Sequence, residues 1–188
     1  MIGVLALQGA FAEHEQCLDR LGVKYSEIRK KEHLGHSYDA LIIPGGESTT
    51  MNKLLRDQEM LEPLREMIMS GTPVFGTCAG LILLSKEVVG GVPSLSTLDV
   101  TTVRNAYGRQ LGSFETESKF GDIGKIPMTF IRAPYVEKTG PEVEILARVD
   151  DRIVAVRQKN QLGIAFHPEL TEDLSVHRYF LEKVAHIL

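Results

Sequence analysis

The sequence predicts an α/β fold, in which a parallel sheet carries helices on both faces and a later set of strands is antiparallel or mixed. Two observations support this prediction. In the first half of the chain, short apolar runs alternate with segments of helical spacing, which is the rhythm of successive βαβ units. In the second half, short candidate strands follow one another and are separated by Gly, Pro, Asn or Asp.

The first half opens with a continuous apolar run at residues 2–7, which is typical of a strand buried on both faces. A helix is predicted at residues 10–21, where Gly22 suits the helix end. Ser48 or Thr49 is placed to cap a further helix that continues to about residue 56. The remaining predicted strands span 23–28, 39–43 and 74–75, and the remaining predicted helices span 60–69 and 81–88.

The second half contains six predicted strands and one predicted helix. The strands span 99–103, 113–117, 129–132, 143–149, 153–158 and 162–166, and the helix spans 174–187. No repeat and no long linker divides the chain. We therefore expect a single domain over residues 1–188.

Composition narrows the possible functions. Apolar residues make up 43% and charged residues 24% of the chain, and the formal net charge is only −4, so nucleic acid and membrane surfaces are not expected partners. The two cysteines, Cys17 and Cys78, form no Cys-x-x-Cys pair, so no metal is expected. Neither a basic leader nor a long apolar segment is present, and we expect a cytoplasmic protein.

The strongest chemical signal is Gly-Thr-Cys-Ala-Gly at residues 76–80, between an apolar strand and a predicted helix. A nucleophile elbow has this order, because its tight turn requires small residues on both sides of the nucleophile. The Cys78 thiol would lie at a helix N-terminus, where the partial positive charge favours the thiolate, and the N–H of Ala79 could donate to an oxyanion. The alternative is a glycine-rich turn that holds a small buried cysteine. Cys17 has no such setting and is expected to pack in a helix.

A candidate base and its orienting carboxylate occur in Phe-His-Pro-Glu at residues 166–169, at the end of an apolar strand. Side chains two residues apart in an extended segment point the same way, so His167 and Glu169 can pair. A carboxylate beside an imidazole fixes its tautomer and stabilises the imidazolium. The alternative is a pair that simply begins the next helix. We expect surface or packing roles for the other histidines, at positions 14, 33, 36, 177 and 186.

Residues that could bind a substrate lie in three further segments. Pro-Gly-Gly-Glu-Ser-Thr at residues 44–49 follows a strand and could supply a second oxyanion donor, although it could equally be a turn that begins a helix. Arg104 and Arg132 end or interrupt strand-like segments, and an arginine can hold the α-carboxylate of an amino acid through two hydrogen bonds. An ordinary surface position remains the alternative for either arginine.

Three motifs, at residues 44–48, 76–80 and 166–169, together resemble the class I glutamine amidotransferases. The resemblance is strongest to the branch that forms the glutaminase subunit of pyridoxal 5′-phosphate synthase. It extends from Met1 to the last helix. The segments that match this branch are Leu-Gln-Gly-Ala with Glu13-His14, Gly-Glu-Ser-Thr-Thr, Gly108-Arg109-Gln110, Phe-Ile-Arg-Ala-Pro and His-Pro-Glu-Leu-Thr-Glu-Asp.

The resemblance implies a three-layer α/β/α fold with a mixed, mainly parallel sheet. It implies hydrolysis of L-glutamine to glutamate and ammonia through a Cys78 thioester, with His167 and Glu169 completing the triad and with no cofactor or metal. It also implies that the ammonia passes to a separate synthase subunit, which makes pyridoxal 5′-phosphate, the product of vitamin B6 biosynthesis. The residues that would contact glutamine are Gly46, Glu47, Ser48, Arg104, Ile131 and Arg132.

Three rival functions can be weighed against this one. A cysteine peptidase or stress protein could share the elbow, but several such families place a His directly after the Cys, where this chain has Ala79. A binding module that had lost its chemistry would not need an intact Cys, His and Glu. The glutaminase of another pathway, such as histidine biosynthesis, fits less well with Gln8-Gly9 and Thr49-Thr50.

The chain alone is expected to be a poor glutaminase that its synthase partner activates. Hydrolysis without an acceptor for ammonia would waste glutamine. Gly45-Gly46 offers a possible gate, because a peptide flip there could move an N–H out of the oxyanion hole. The segment Gln8-Gly9-Ala10 is the candidate relay for the partner's contact.

Overall fold

A computed structural model of the protein describes residues 1–104 and 113–188. In these residues a ten-stranded mixed sheet has the order β2-β1-β3-β4-β12-β11-β9-β6-β5, with β10 added on β11, and β7 and β8 form a separate ribbon. The strands are β1 (Ile2–Leu5), β2 (Tyr25–Ile28), β3 (Ala40–Ile43), β4 (Val74–Thr77), β5 (Ser85–Val89), β6 (Leu98–Val103), β7 (Ser113–Lys119), β8 (Lys125–Ile131), β9 (Tyr135–Thr139), β10 (Glu144–Val149), β11 (Arg152–Gln158) and β12 (Gln161–Ile164).

The parallel part of the sheet is built from the apolar runs of the first half. Strands β1, β3 and β4 are buried along their whole length, as a sheet covered on both faces requires. Each pairs in parallel with its neighbour, and β12, which comes from the far end of the sequence, joins β4 in parallel as well. The carboxyl ends of these strands therefore meet at one edge of the sheet.

The second half of the sheet is mainly antiparallel, as the sequence predicts. Strand β11 pairs antiparallel with β12, β10 and β9, and β9 pairs antiparallel with β6. The β7–β8 ribbon is amphipathic, because residues on β8 alternate between buried and less buried positions, with Ile126, Met128 and Phe130 inward. The expected mixed sheet is thus confirmed.

In the part of the chain that the structure describes, five α-helices flank the sheet: α1 (Phe11–Arg20), α2 (Ser48–Asp57), α3 (Leu61–Met69), α4 (Ala79–Leu84) and α5 (Ser175–Tyr179). Alternation along β4 shows which helices share a face. Phe75 packs edge-on against His14 of α1 and His177 of α5, whereas Gly76 faces Leu84 of α4. Helices α1 and α5 therefore cover one face of the sheet, and α4 covers the other together with α2, which packs on it.

Several predicted elements need correction. The predicted helix over 81–88 is right up to Leu84, where α4 ends, and wrong beyond it, because Ser85–Val89 is strand β5. The Ser85 hydroxyl donates to the Leu81 carbonyl at 2.7 Å, which satisfies an acceptor at the end of the helix, and β-branched Val88 and Val89 favour the strand. Strand β9 was not predicted. The helix predicted over 174–187 is α5 followed by a π-helical turn, Phe180–Val184.

The cap of α2 also differs from the prediction. The Glu47 carboxylate, rather than Ser48 or Thr49, accepts hydrogen bonds from the backbone N–H groups of Thr49 and Thr50, at 3.2 and 2.7 Å. Ser48 is already inside the helix and is buried. A carboxylate is well suited to this place, since it also meets the positive end of the helix dipole. The matching segment Gly108-Arg109-Gln110 lies outside the described residues.

Candidate active site

Two neighbouring parallel strands bring the predicted nucleophile and base together. Thr77, the last residue of β4, pairs with Ile164, the last residue of β12, so the segments after both strands leave the sheet side by side. The backbone N–H of Cys78 donates to the Ile164 carbonyl at 2.8 Å. The N–H of His167 donates to Thr129 of β8 at 2.8 Å, which fixes the chain beside the β7–β8 ribbon. Backbone hydrogen bonds therefore set the position of both residues.

The Cys78 turn has the geometry of a nucleophile elbow. Cys78 has φ 51° and ψ −101°, a conformation that a residue with a side chain rarely adopts, and it directly precedes α4. A Cβ at position 76 would lie 2.8 Å from the backbone of Gly80, and a Cβ at position 80 would overlap the carbonyl oxygen of Ile43. Only glycine fits at these two positions, so the strained turn depends on the two residues that flank the cysteine.

His167 and Glu169 form a direct hydrogen bond between Nδ1 and Oε1 at 2.6 Å. The segment is not extended as expected, because β12 ends at Ile164 and Pro168–Leu170 forms a 3-10 turn. That turn brings Glu169 back under the imidazole. Burial alone would lower the pKa of His167, but hydrogen bonds to Cys78 and Glu169, together with their charges, outweigh it and raise the pKa to about 10. The imidazolium form is therefore favoured in this site.

The residues proposed for catalysis and substrate binding border one cavity of about 570 Å³. Glu169 is the exception, since it lies behind His167 and contacts the cavity only through that ring. The predicted residues that line the cavity are Gly46, Glu47, Ser48, Cys78, Ala79, Arg104, Ile131, Arg132 and His167. The other lining residues are Gln8, Gly9 and Ala10 of the predicted relay, Gly45 of the predicted gate, and Ile82 and Leu170, for which no role was predicted.

Arg104 is held on the rim of the cavity by Glu47 and Thr49. Its guanidinium donates to Glu47 Oε1 at 3.2 Å and to Thr49 Oγ1 at 3.0 Å. Burial would raise the pKa of Glu47, but hydrogen bonds from Thr50 and Thr49 and the charge of Arg104 outweigh it and lower the pKa. Glu47 therefore caps α2 and also binds Arg104. This links the arginine that is predicted to bind substrate to the turn that follows β3.

The Gly45-Gly46 turn contacts both His167, the predicted base, and the segment after β1. The Gly45 carbonyl accepts a hydrogen bond from the N–H of Ala10 at 2.9 Å, and the N–H of Glu47 donates to Gln8 Oε1 at 2.9 Å. A Cβ at position 45 would overlap the His167 ring. The sequence signal for this contact was the pair of glycines itself, which is required where two segments approach so closely.

Ile131 and Arg132 close the cavity from the end of β8. Ile131 is 39% exposed, and Arg132 is exposed as well. Arg132 has φ 44°, which is unusual for a residue with a side chain and marks a forced change of direction after the strand. Both side chains are therefore accessible to a ligand in the cavity.

Two histidines behind the site are buried, which fits packing but not a surface role. His14 is 0% and His177 1% exposed, and their rings are hydrogen-bonded to each other, Nδ1 of His14 to Nε2 of His177, at 2.8 Å. The matched segment Glu13-His14 was the only sequence signal for this pair. In residues 1–104 and 113–188, no group of three His, Cys, Asp or Glu side chains is placed to hold a metal ion. Within the same residues, no helix combines the length and the apolar character that crossing a membrane requires.

Comparison with known proteins places this site in a family context. Residues 4–186 match the model of the SNO glutamine amidotransferase family. A protein of Methanocorpusculum labreanum called pyridoxal 5′-phosphate synthase subunit PdxT is 60% identical over 184 residues, covering 98% of this chain and 97% of that protein. A protein of the same description from Streptococcus pneumoniae is 59% identical and covers 96% of this chain and 95% of its own length.

Solved structures agree with this assignment at the level of the fold. A crystal structure described as a glutamine amidotransferase superposes with a TM-score of 0.92 at 50% identity and covers 98% of both chains. A structure of PurLQS from Thermotoga maritima superposes with a TM-score of 0.71 at 16% identity over 96% of both chains, which supports the fold alone. The three-layer architecture expected from the sequence is therefore the architecture of known amidotransferases.

Proposed function

The chain belongs to the SNO glutamine amidotransferase family, and from this premise we propose that it hydrolyses L-glutamine with Cys78 as nucleophile, His167 as base and Glu169 as orienter. It is the glutaminase subunit of pyridoxal 5′-phosphate synthase. Relatives that are named as subunits of this synthase match the chain over nearly their whole length. One observation supports the catalytic assignment above others. The ends of β4 and β12 place a strained cysteine and a carboxylate-bound histidine in the same cavity.

The first half of the reaction forms a thioester. With Nδ1 of His167 bonded to Glu169, Nε2 remains to take the proton of Cys78. The thiolate attacks the side-chain carbonyl carbon of glutamine, and the resulting oxyanion is held by the N–H of Ala79 and by the N–H of Gly46. Each such donor contributes on the order of 100-fold to the rate. His167 then returns the proton to the leaving nitrogen, which departs as ammonia and leaves the glutamyl thioester.

The second half releases glutamate. His167 takes a proton from a water molecule, and the hydroxide attacks the thioester carbon through a second oxyanion in the same hole. The C–S bond breaks, the thiolate of Cys78 is regenerated, and glutamate leaves. This chemistry needs a free thiol, so we propose the reducing cytoplasm as its location.

The α-amino and α-carboxylate groups of glutamine would bind at the rim. Arg104 supplies a cation for the carboxylate, and Glu47, already beside it, supplies a counter-charge for the ammonium group. Gly46, Ser48, Ile131 and Arg132 complete the set of proposed contacts. Since Arg104 is hydrogen-bonded to Glu47, substrate must share or replace that pair, which ties recognition to the turn carrying Gly46.

A synthase subunit would receive the ammonia and would also activate hydrolysis. The proposed gate lies at Gly45-Gly46, whose peptide is held to the segment after β1 by the hydrogen bond from Ala10. A partner that contacts Gln8-Gly9-Ala10 could therefore select one orientation of this peptide and of its N–H. Gly9 has φ 93°, and its Cα packs directly against Gly45 and Gly46. A movement of either segment would therefore displace the other.

The function is tested by measuring glutamate release by the chain alone, and by the chain mixed with a synthase subunit of pyridoxal 5′-phosphate synthase at equal concentration. We expect release to rise at least severalfold in the mixture, as a coupling free energy of roughly 1 kcal/mol or more requires. Formation of pyridoxal 5′-phosphate from glutamine, but not from added ammonium, should depend on Cys78. Rates that agree within about twofold would contradict activation, and absence of glutamate in both would contradict the glutaminase function.

A further inference from the structure

A chain of buried polar side chains lies behind the triad, on the face of the sheet covered by α1 and α5. His14 Nε2 lies 3.1 Å from Thr77 Oγ1, the residue next to the nucleophile, and 3.7 Å from Glu169 Oε2. His14 Nδ1 lies 2.8 Å from His177 Nε2. Both rings pack edge-on against Phe75, with ring centroids 5.9 and 5.5 Å from it, so neither ring can rotate freely.

The carboxylate of Glu169 uses its two oxygens unequally. Oε1 is bonded to His167 at 2.6 Å, whereas Oε2 is buried and forms no hydrogen bond with the residues that the structure describes. The side chains of Glu169 and His14 are both 0% exposed, so water does not reach this oxygen from outside. A buried carboxylate oxygen is stabilised by a nearby positive dipole, and His14 Nε2 lies 3.7 Å from it, outside hydrogen-bond distance but close enough for an N–H there to act electrostatically.

The hydrogen-bond pattern selects one tautomer for each histidine. His177 Nδ1 is buried and has no partner in the described part of the chain. A proton there would leave a buried donor unpaired, which is rarer than an unpaired acceptor. The proton of His177 therefore belongs on Nε2, which donates to His14 Nδ1. His14 then carries its own proton on Nε2, directed at Thr77 Oγ1 and Glu169 Oε2.

Charge agrees with this assignment. Burial lowers the pKa of His177 to about 4 and, together with the nearby His177 and His167, lowers the pKa of His14 well below its ordinary value. Both rings are therefore neutral at physiological pH and hold one proton each. A single N–H on His14 can then face the triad, because the other ring nitrogen is occupied as an acceptor.

We propose that His14 is a positioning residue of the triad, whose Nε2–H, fixed by His177, is directed at Thr77 Oγ1 and at the second oxygen of Glu169, and so favours the orientation in which the first oxygen faces His167. This inference rests on the proposed function and adds a residue to it. His14 contacts neither the cavity nor the nucleophile, and it acts through the carboxylate. Without that N–H, the buried carboxylate has less support in its charged form and is less firmly oriented toward His167.

The tautomer can be read directly in the unaltered protein. Two-bond ¹H–¹⁵N NMR spectra of the histidine side chains distinguish the Nε2–H form from the Nδ1–H form. The proposal expects neutral Nε2–H tautomers for His14 and His177 at about pH 7, within the range where both pKa values are lowered. An Nδ1–H tautomer on His14 would overturn it, whether or not any variant folds.

A pair of substitutions separates the two ring nitrogens of His14. His14→Gln can place an amide N–H near the position of Nε2, whereas His14→Asn reaches only the position of Nδ1. We expect His14→Asn to lower kcat roughly tenfold or more with little change in KM, as loss of a donor to a buried charge implies. His14→Gln should retain most of the activity. Cys17→Ala, one turn along α1 and equally buried, is the control for disturbance of the helix.

Alkylation of Cys78 by iodoacetamide gives a readout that does not depend on glutamine. The rate is followed against pH, with the modified cysteine located by mass spectrometry. The titratable groups that face the triad and His14 are Cys78, His167, Glu169 and His177. Cys17 lies near Glu169 from α1 and is itself influenced by Arg20 and Glu172. His14→Asn should shift the reactive range of Cys78 upward by roughly half a pH unit or more, and His14→Gln should shift it less.

The outcomes distinguish this inference from the proposed function. A wild-type profile and kcat in His14→Asn would overturn the positioning role, even if Cys78→Ala is inactive. An equal loss in His14→Gln and His14→Asn would also overturn it, since packing alone would then explain both. If the unaltered protein released no glutamate, the proposed function would fail, while the NMR and alkylation results would still decide the role of His14.

Discussion

The two sides of the candidate active-site cavity are held in place by different forces. Cys78, His167 and Glu169 are each only 6–7% exposed, and two of them are fixed by backbone hydrogen bonds to neighbouring strands. On the rim, Arg104 is held by side-chain contacts to Glu47 and Thr49, and Arg132 is exposed. Buried, backbone-fixed groups suit the chemical step, while adjustable charged side chains suit recognition of a small zwitterion.

The largest effect should follow removal of the nucleophile. We expect Cys78→Ala to abolish glutamate release while the circular dichroism spectrum stays unchanged, because the elbow is fixed by glycines rather than by the thiol. Cys17→Ala should leave glutamate release nearly unchanged. Mainly through burial, the pKa of that thiol is raised to about 11, and Cys17 lies outside the cavity lining. Turnover retained in Cys78→Ala would remove the distinction between the two sides of the cavity.

The next largest effects should separate the base from its orienter. His167→Asn removes the group proposed to move every proton, whereas Glu169→Gln still leaves an imidazole beside Cys78. We expect kcat to fall in both variants. The kcat of Glu169→Gln should stay roughly tenfold or more above that of His167→Asn, because an orienter acts only through the base. Steady-state kinetics at saturating glutamine would measure the difference. Wild-type activity in Glu169→Gln would make the carboxylate a structural residue only.

Substitutions on the rim should change binding more than chemistry. Arg104→Ala removes the cation proposed for the substrate carboxylate and should raise KM by a factor that corresponds to about 1.5–3 kcal/mol, with a smaller change in kcat. Arg132→Ala should act in the same direction. The matched control is Arg148→Ala, an exposed arginine whose guanidinium bonds to the Asp151 carbonyl, away from the cavity lining. Unchanged KM and kcat in both rim variants would exclude those arginines from the substrate site.

The sequence predicted the buried side of the site better than the rim. Glycines at 76 and 80, with an apolar strand before them, leave one local geometry for Cys78. The parallel pairing of β4 with β12 was not predicted, since the strands of the second half were expected to be antiparallel or mixed. The reason given for the His167–Glu169 pair was nonetheless wrong in detail, since a 3-10 turn rather than an extended strand joins them. The outcome was the same because the pair needs only proximity.

What the sequence could not predict depends on contacts between distant segments. The bond between Arg104 and Glu47 joins residues 57 positions apart, and no local pattern distinguishes Arg104 from a surface arginine. The His14–His177 contact spans 163 positions and sits on two amphipathic helices, where a histidine on the apolar side usually signals simple packing. Strand β5 was missed for a related reason, since Ser85–Val89 is a strand only because β6 pairs with it.

The smallest expected effect concerns stability rather than activity, and it tests whether the buried side of the molecule contains neutral histidines. Unfolded His177 binds a proton below its ordinary pKa of 6.5, but folded His177 binds one only below about 4, because burial lowers its pKa. Between these values the unfolded state holds more protons, so the free energy of unfolding falls as the pH decreases from about 6.5 to 4. At about pH 5 this loss should approach 1–2 kcal/mol. His14 adds to it in the same direction.

Urea unfolding followed by circular dichroism at about pH 7 and about pH 5 would measure this loss in the unaltered protein and in His177→Leu. The variant should lose less stability between the two pH values, because it has no proton to take up on unfolding at that position. His36→Gln is the matched control, because it changes a histidine that is exposed rather than buried. It should lose as much stability between the two pH values as the unaltered protein does. If His177→Leu and the unaltered protein lose the same free energy of unfolding, His177 is not held neutral by burial. The buried side of the site would then tolerate charge as the exposed rim does, despite its packing.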